Sequence, residues 1–181
     1  NHYYRAGDVA YFAALPQGES GAKRNAARAA QTPEAIGRDA KAFVGFLDRL
    51  PQTSTAKVGV QGYCMGGPFT VRTAAAVPDR IGAVGSFHGG NLVAKEAASP
   101  HLLLEKTKAR YLFAIAKGDD ARDPTFKGEL RANLYKAGLP GVVEVYGGNH
   151  GWCVPDSAAY DQPEAERAWA MLSDLYKRSL V

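Results

Sequence analysis

Residues 57–67 read KVGVQGYCMGG, a short apolar run that leads directly into a glycine-rich turn. The run has the small and β-branched composition of a buried strand, and the turn reverses the chain sharply before a helix begins. A strained strand-to-helix turn of this kind needs small residues two before and two after a nucleophile, and Gly62 and Gly66 flank Cys64 at those positions. The pattern predicts an α/β fold in which Cys64 is the nucleophile.

The helix after the turn favours the same interpretation. Its start brings backbone N–H groups and the positive end of a helix dipole close to Cys64, which favours a thiolate. The N–H of Met65 would then point into the site and stabilise an oxyanion. The alternative is a buried structural cysteine in a glycine-rich turn.

Strand-like and helix-like segments alternate along the rest of the chain. The predicted strands are residues 57–61, 81–87, 109–116 and 142–146, and the predicted helices are residues 33–50, 69–76, 126–137 and a last one from Pro163. Loops are predicted at residues 17–31, 117–124 and 147–161. This alternation indicates a mostly parallel sheet with helices on both faces, forming a single domain over residues 1–181.

Two of these helices have a predicted apolar face. The first has Thr32 as its N-cap and Pro33 in its first turn, and its apolar positions are Ile36, Ala40, Phe43, Val44 and Leu47. In the last helix the apolar positions are Ala165, Ala168, Trp169, Leu172, Leu175 and Tyr176.

Three predicted loops follow strands at the carboxyl edge of the sheet, where chemistry takes place in such folds. They carry Cys64, Asp119 and His150, in the order nucleophile, acid, base that this kind of fold uses. His150 would take the thiol proton and deliver it to the leaving group. Asp119 would orient the imidazole and stabilise its charged form.

Other acids and histidines compete for these positions. Asp120 and Asp123 lie close to Asp119, which we favour because it is nearest to the end of its strand. His88 and His101 are alternatives to His150, which stands in a glycine-rich loop after the last strand. We interpret His88, which precedes two glycines, as part of a structural turn.

The composition suits a globular enzyme, with 181 residues and 46% hydrophobic residues. The net charge of +4 is scattered along the chain, so nucleic-acid binding is not expected. No apolar stretch approaches the ~20 residues of a membrane helix, and no signal peptide is visible. Two cysteines do not make a disulfide scaffold, although a bond between Cys64 and Cys153 is possible. We expect a cytoplasmic protein.

A metal site is the weaker interpretation of the same residues. Cys64, His88, His150 and Cys153 could be imagined as zinc ligands, but their spacing matches no zinc motif. We therefore expect no metal and no other cofactor.

The chain resembles the dienelactone hydrolases, or carboxymethylenebutenolidases. The resemblance covers nearly the whole chain and is most specific in the Gly62–Gly67 turn. It also rests on residues 1–5, 57–61, 86–90, 116–120 and 150–152. It implies an α/β-hydrolase fold and a Cys64–Asp119–His150 triad that cleaves a small-molecule ester or lactone through a thioester.

The resemblance also implies substrate contacts. Arg5 matches an arginine that holds a substrate carboxylate in the family, and we expect Tyr63 and Trp152 to contact substrate as well. Val154 stands where the family has a second arginine, which weakens the case for a carboxylate-bearing dienelactone. The first strands of the family's sheet, which carry its second oxyanion donor, are not recognisable in this sequence. We therefore expect a domain that is incomplete at its N-terminus. We also expect a monomer or a homodimer.

Two other functions stay open at this point. A hydrolase scaffold without catalysis could serve as a binding or sensing protein. Alternatively, Cys64 and Cys153 could carry out thiol redox chemistry.

Overall fold

The computed structural model describes residues 3–53 and 56–180. The chain divides into two compact units, residues 1–36 and 37–181. Helices α1 (Val9–Ala14) and α2 (Gln17–Ala29) belong to the first unit, and α3 (Pro33–Leu47) begins there. The expectation of a single domain over residues 1–181 stays a prediction.

Helix α2 shows that the predicted loop at residues 17–31 is wrong. The segment has few large apolar side chains, which suggested a loop, but it is rich in alanine, lysine and arginine, which have high helix propensity. Glu19 in the first turn and Arg28 in the last turn also complement the helix dipole.

Helix α3 begins as predicted, because the Thr32 hydroxyl accepts a hydrogen bond from the N–H of Ala35 at 3.2 Å. Ala40 and Val44 are buried, as expected for its apolar face. Phe43 is 55% exposed, so its predicted place on that face is wrong.

The second unit is built on four strands. They are β1 (Val58–Tyr63), β2 (Ile81–Phe87), β3 (Arg110–Ala116) and β4 (Gly141–Tyr146). Between and after them lie α4 (Gly66–Ala76), a 3₁₀ helix (Pro100–Lys106), α5 (Lys117–Arg122), α6 (Phe126–Lys136) and α7 (Gln162–Ser179). All four predicted strands are therefore confirmed, with small shifts at their ends.

The strands form one sheet in the order β1-β2-β3-β4, and every neighbouring pair is parallel. Successive side chains of β3 face opposite sides, as a pleated strand requires. Tyr111, Phe113 and Ile115 join a cluster with side chains of α3, α4, α6 and the 3₁₀ helix. Leu112, Ala114 and Ala116 join a second cluster with Ala168 and Leu172 of α7. The predicted parallel sheet with helices on both faces is confirmed.

Two details differ from the predictions. Residues 117–122 form the short helix α5 rather than a loop. Asp119 and Asp120 lie in its first turn, where their negative charges interact favourably with the positive end of the helix dipole. Trp169 is 60% exposed, because the buried stripe of α7 is narrow and centres on Ala168 and Leu172.

No helix among the described residues is both long and apolar enough to cross a membrane.

Candidate active site

The parallel sheet brings the segments that follow its four strands to one edge. Tyr63 at the end of β1 is paired with Phe87 at the end of β2, and Ala116 at the end of β3 is paired with Tyr146 at the end of β4. Cys64 and His88 directly follow the first pair, and helix α5 with Asp119 and the loop with His150 follow the second. The residues predicted to act together therefore leave the sheet on the same side.

The backbone of Cys64 is held in an unusual conformation. Its φ angle is +52°, a left-handed value that non-glycine residues adopt rarely and that is common where strain serves function. Its N–H lies within hydrogen-bonding distance of the carbonyl oxygen of Phe87 (3.1 Å) and of Nδ1 of His88 (3.2 Å). Its own carbonyl accepts from the N–H of Gly67 at 3.1 Å. The turn thus fixes the backbone while leaving residue 64 exposed.

Two glycines make this turn possible. A Cβ atom on Gly62 would lie 2.2 Å from the carbonyl oxygen of Gly66, so no larger residue fits there. A Cβ on Gly67 would lie 2.6 Å from the Cα of Gly89 in the loop after β2. The first contact is the close strand-to-helix approach that a nucleophile elbow requires, and the second packs the turn against the loop after β2.

The proposed acid and base are in direct contact. Oδ2 of Asp119 lies 2.7 Å from Nδ1 of His150, and the two side chains are 20% and 40% exposed. With Asp119 ionised, Nδ1 carries the proton and donates it, which leaves Nε2 as the basic nitrogen. Oδ1 of Asp119 also accepts from the guanidinium of Arg122 at 3.3 Å.

The competing acids have other partners. Both oxygens of Asp120 lie 2.8 Å from Nζ of Lys127. Asp123 accepts from the hydroxyl of Thr125 at 2.6 Å, and this hydrogen bond lowers the pKa of its carboxyl. The geometry therefore selects Asp119 over its neighbours as the partner of His150.

The alternative histidines are also resolved by position. His101 is buried in the first turn of the 3₁₀ helix, where its Nδ1 lies 2.7 Å from the hydroxyl of Ser99. His88 lies at the site itself, with its ring centroid 4.8 Å from that of His150. Burial, and then the neighbouring His150, lower the pKa of His88 to about 4, so it is neutral near pH 7.

Comparison with known proteins identifies the family. The family model described as "Dienelactone hydrolase family" matches residues 3–180. The chain belongs to the dienelactone hydrolase family. "Protein usf" of Aquifex pyrophilus is 30% identical over 143 residues, which cover 78% of this chain and 59% of that protein. A "Putative carboxymethylenebutenolidase" of Aquifex aeolicus is 25% identical over 147 residues, 80% of this chain and 61% of that protein.

A solved structure supports the fold. The dienelactone hydrolase-like promiscuous phosphotriesterase from metagenomic libraries superposes with a TM-score of 0.68 at 21% identity, over 97% of this chain and 70% of that one. The present chain spans about three-fifths of the length of the two curated relatives.

The three residues predicted to contact substrate have different surroundings within this dienelactone hydrolase scaffold. Tyr63 is half-buried and stacks on Phe87 with ring centroids 5.1 Å apart. Trp152 is fully buried and stacks on Tyr146 with ring centroids 5.1 Å apart, and its contact with substrate stays a prediction. Arg5 belongs to the first unit, where its guanidinium lies 4.6 Å from the ring of Tyr4, and its substrate contact stays a prediction.

The two cysteines are both free thiols. Cys153 is half-buried, and burial raises its pKa to about 11. Within the described parts of the chain, no three His, Cys, Asp or Glu side chains are grouped so that they could hold a metal ion.

From the sequence, His88 competes with His150 for the role of base and is favoured as a structural turn residue, and neither interpretation predicts its contact with the Cys64 backbone. Its position directly after β2, the strand paired with β1, was the available signal. In a parallel sheet, residues that follow two adjacent strands emerge side by side. The contact between His88 and the backbone of Cys64 follows from that adjacency.

Proposed function

We propose that this protein is a cysteine-dependent hydrolase that cleaves an ester or lactone of a small molecule through a thioester intermediate. The observation that carries this proposal is the 2.7 Å contact between Asp119 and His150, at the sheet edge where the strained turn presents Cys64. A carboxylate, an imidazole and a thiol on neighbouring loops are the parts that nucleophilic acyl transfer needs.

The first half-reaction transfers the acyl group to the enzyme. Nε2 of His150 takes the proton from Sγ of Cys64, and the thiolate attacks the carbonyl carbon of the substrate. The N–H of Met65 donates to the oxyanion of the tetrahedral intermediate. The intermediate expels the alcohol oxygen, which receives the proton from His150, and a thioester to Cys64 is left.

The second half-reaction releases the acid. His150 takes a proton from a water molecule, and the resulting hydroxide attacks the thioester carbonyl. The C–S bond breaks, the thiolate leaves, and the proton on His150 returns to it. Asp119 stabilises the imidazolium that forms in each half-reaction. With a lactone, the alcohol and the acid stay in one molecule, so the product is a hydroxy acid.

The substrate class is less narrowly defined than the reaction. A dienelactone carries a carboxylate beside its lactone ring, and a cation is needed to bind it. At the position after the base where the family's second arginine would stand, this chain has the exposed, uncharged Val154. We therefore propose an ester or lactone without a required carboxylate as substrate.

The test is turnover of an activated aryl ester by Cys64→Ala. The substitution removes the nucleophile, so we expect kcat/KM to fall by about a thousandfold or more. Cys153→Ala is the matched control, and its activity should stay within about twofold of the wild type because that thiol is half-buried and protonated. Circular dichroism checks that both variants are folded. Full activity in Cys64→Ala contradicts the proposal.

A second measurement tests the intermediate. Rapid quenching during turnover, followed by mass spectrometry of the intact protein, should detect an added acyl mass in the wild type and in Cys153→Ala. Digestion should place that mass on the peptide that carries Cys64. An acyl mass on any other residue contradicts a thioester mechanism through Cys64.

A further inference from the structure

His88 contacts both Cys64 and His150, yet the proposed triad gives it no role. It is the first residue after β2, it is 2% exposed, and its φ angle is +39°, a conformation that is costly for a residue with a side chain. A glycine or asparagine would adopt this φ more readily, so a histidine at this position indicates that its side chain has a role.

The first contact joins His88 to the nucleophile turn. Its Nδ1 lies 3.2 Å from the backbone nitrogen of Cys64, and since that nitrogen is an N–H donor, Nδ1 must be the acceptor. The N–H of Gly90, two residues further on, reaches the carbonyl oxygen of Cys64 at 3.4 Å. The loop after β2 therefore holds both polar groups of the Cys64 backbone.

The second contact joins His88 to the base. The ring centroids of His88 and His150 are 4.8 Å apart. His88 also contacts Trp152 edge-to-face, with ring centroids 5.0 Å apart, and Trp152 is itself stacked on Tyr146. The ring of His88 is thus packed against both the base and a buried aromatic pair.

The charge state of His88 follows from the same surroundings. The titratable groups nearby are His150 from the loop after β4, Asp119 from helix α5, and Cys64 and Tyr63 at the end of β1. With Nδ1 accepting, the proton sits on Nε2, which is buried and has no hydrogen-bond partner among the described residues. A second positive charge 4.8 Å from His150 would oppose protonation of the base, and a neutral His88 avoids this.

We propose that His88 is a positioning residue that acts as an uncharged imidazole, holding the Cys64 turn through its Nδ1 and packing against the ring of His150. This inference rests on the proposed cysteine hydrolase activity and adds to it a residue outside the triad. It predicts that residue 88 needs an acceptor near the Cys64 N–H and must carry no positive charge.

Two substitutions test the acceptor. His88→Asn keeps an acceptor oxygen close to the position of Nδ1 and tolerates the positive φ, whereas His88→Gly relieves the backbone strain but offers no acceptor. We expect kcat of His88→Asn to stay within about fivefold of the wild type and kcat of His88→Gly to fall by about thirtyfold or more, with KM changed by less than about threefold in both. Equal kcat values in the two variants overturn the proposal.

His88→Asp tests the electrical coupling to the base, with His88→Asn as its matched control of the same shape. A carboxylate beside His150 stabilises the imidazolium, so the acidic limb of the pH profile of kcat/KM should move to higher pH by about one unit relative to His88→Asn. Superimposable profiles overturn the proposal, because they would show that a charge at position 88 does not act on the base. If His88→Asp does not fold, the comparison of Asn with Gly decides.

Cys64→Ala, assayed alongside, separates two kinds of failure. If Cys64→Ala retains turnover, the proposed hydrolase mechanism itself is wrong. If Cys64→Ala is inactive while the variants at position 88 show neither difference, the hydrolase mechanism stands and only the role of His88 is overturned.

Discussion

At the scale of single residues, the acid position is the clearest case of a choice that sequence alone left open. Three aspartates stand within five residues, and only their partners distinguish them. Asp119 contacts Nδ1 of His150, whereas Asp120 contacts Lys127 and Asp123 contacts Thr125. Side-chain direction in the short helix α5 makes this distinction, and a sequence pattern does not carry that information.

The first prediction compares Asp119→Asn with Asp120→Asn. Asparagine at 119 can present its NH₂ group to Nδ1 and so favour the wrong tautomer of His150, and we expect kcat for an activated ester to fall by about a hundredfold or more. At 120 the change removes a partly buried ion pair with Lys127, which should cost about 1 kcal/mol of stability and leave kcat within about threefold. Steady-state kinetics and thermal melting measure both. Similar kcat losses in the two variants contradict the assignment.

The second prediction concerns the two thiols. Cys64 is exposed at a strained turn, whereas burial raises the pKa of Cys153 to about 11. At pH 8 only about one Cys153 in a thousand is a thiolate, so iodoacetamide should label Cys64 at least about tenfold faster. Timed quenching and peptide mass spectrometry give both rates. Labelling of Cys153 at the same rate as Cys64 contradicts this prediction. An unchanged labelling rate of Cys64 in His150→Ala would indicate that the base does not activate the thiol.

At the scale of elements, the strand-to-helix turn between β1 and α4 is packed closely against the loop after β2. A Cβ on Gly67 would lie 2.6 Å both from the Cα of Gly89 and from the hydroxyl of Ser86. Because Gly89 presents backbone at this contact, a larger residue at position 67 would fit only if the loop after β2 shifted. The turn and that loop therefore form a single packed element, although more than twenty residues separate them in sequence.

The third prediction pairs Gly67→Ala with Gly128→Ala. The first forces the turn away from the loop after β2, and we expect a loss of about 2 kcal/mol or more in the free energy of unfolding. The second adds a methyl group to the exposed face of α6, where nothing lies within 4 Å, and should gain about 0.5–1 kcal/mol from helix propensity. Urea denaturation measures both. A neutral Gly67→Ala contradicts the packing described for the turn.

The elements also show what sequence could and could not predict. The four strands were predicted because their apolar runs are short, partly β-branched and bounded by turn residues. Helix α2 was missed because its alanines and basic residues favour a helix by propensity without marking a buried face. The exposed Trp169 was misplaced because helical spacing does not tell how wide the buried stripe is.

At the scale of the whole molecule, the site is a product of the sheet rather than of sequence proximity. Parallel strands in the order β1-β2-β3-β4 bring residues 64, 88, 119 and 150 to one edge, so a reader of the sequence can predict which loops meet. Which side chains turn outward and which fill the interior is set by packing. Trp152, two residues after the exposed His150, is fully buried for that reason.

The last prediction concerns the pH dependence of stability. The pKa of His88 is about 4 in the folded protein and about 6.5 when unfolded, so the unfolded chain binds more protons between these values. Stability therefore falls as the pH drops below about 6.5, and the penalty from His88 at pH 5 is about 2 kcal/mol. His88→Asn has no group that titrates at this position, whereas the carboxylates that lose stability in acid are common to both proteins. Urea denaturation at pH 7 and pH 5 should show the wild type losing about 2 kcal/mol more than His88→Asn. An equal loss in both proteins contradicts a buried, neutral His88.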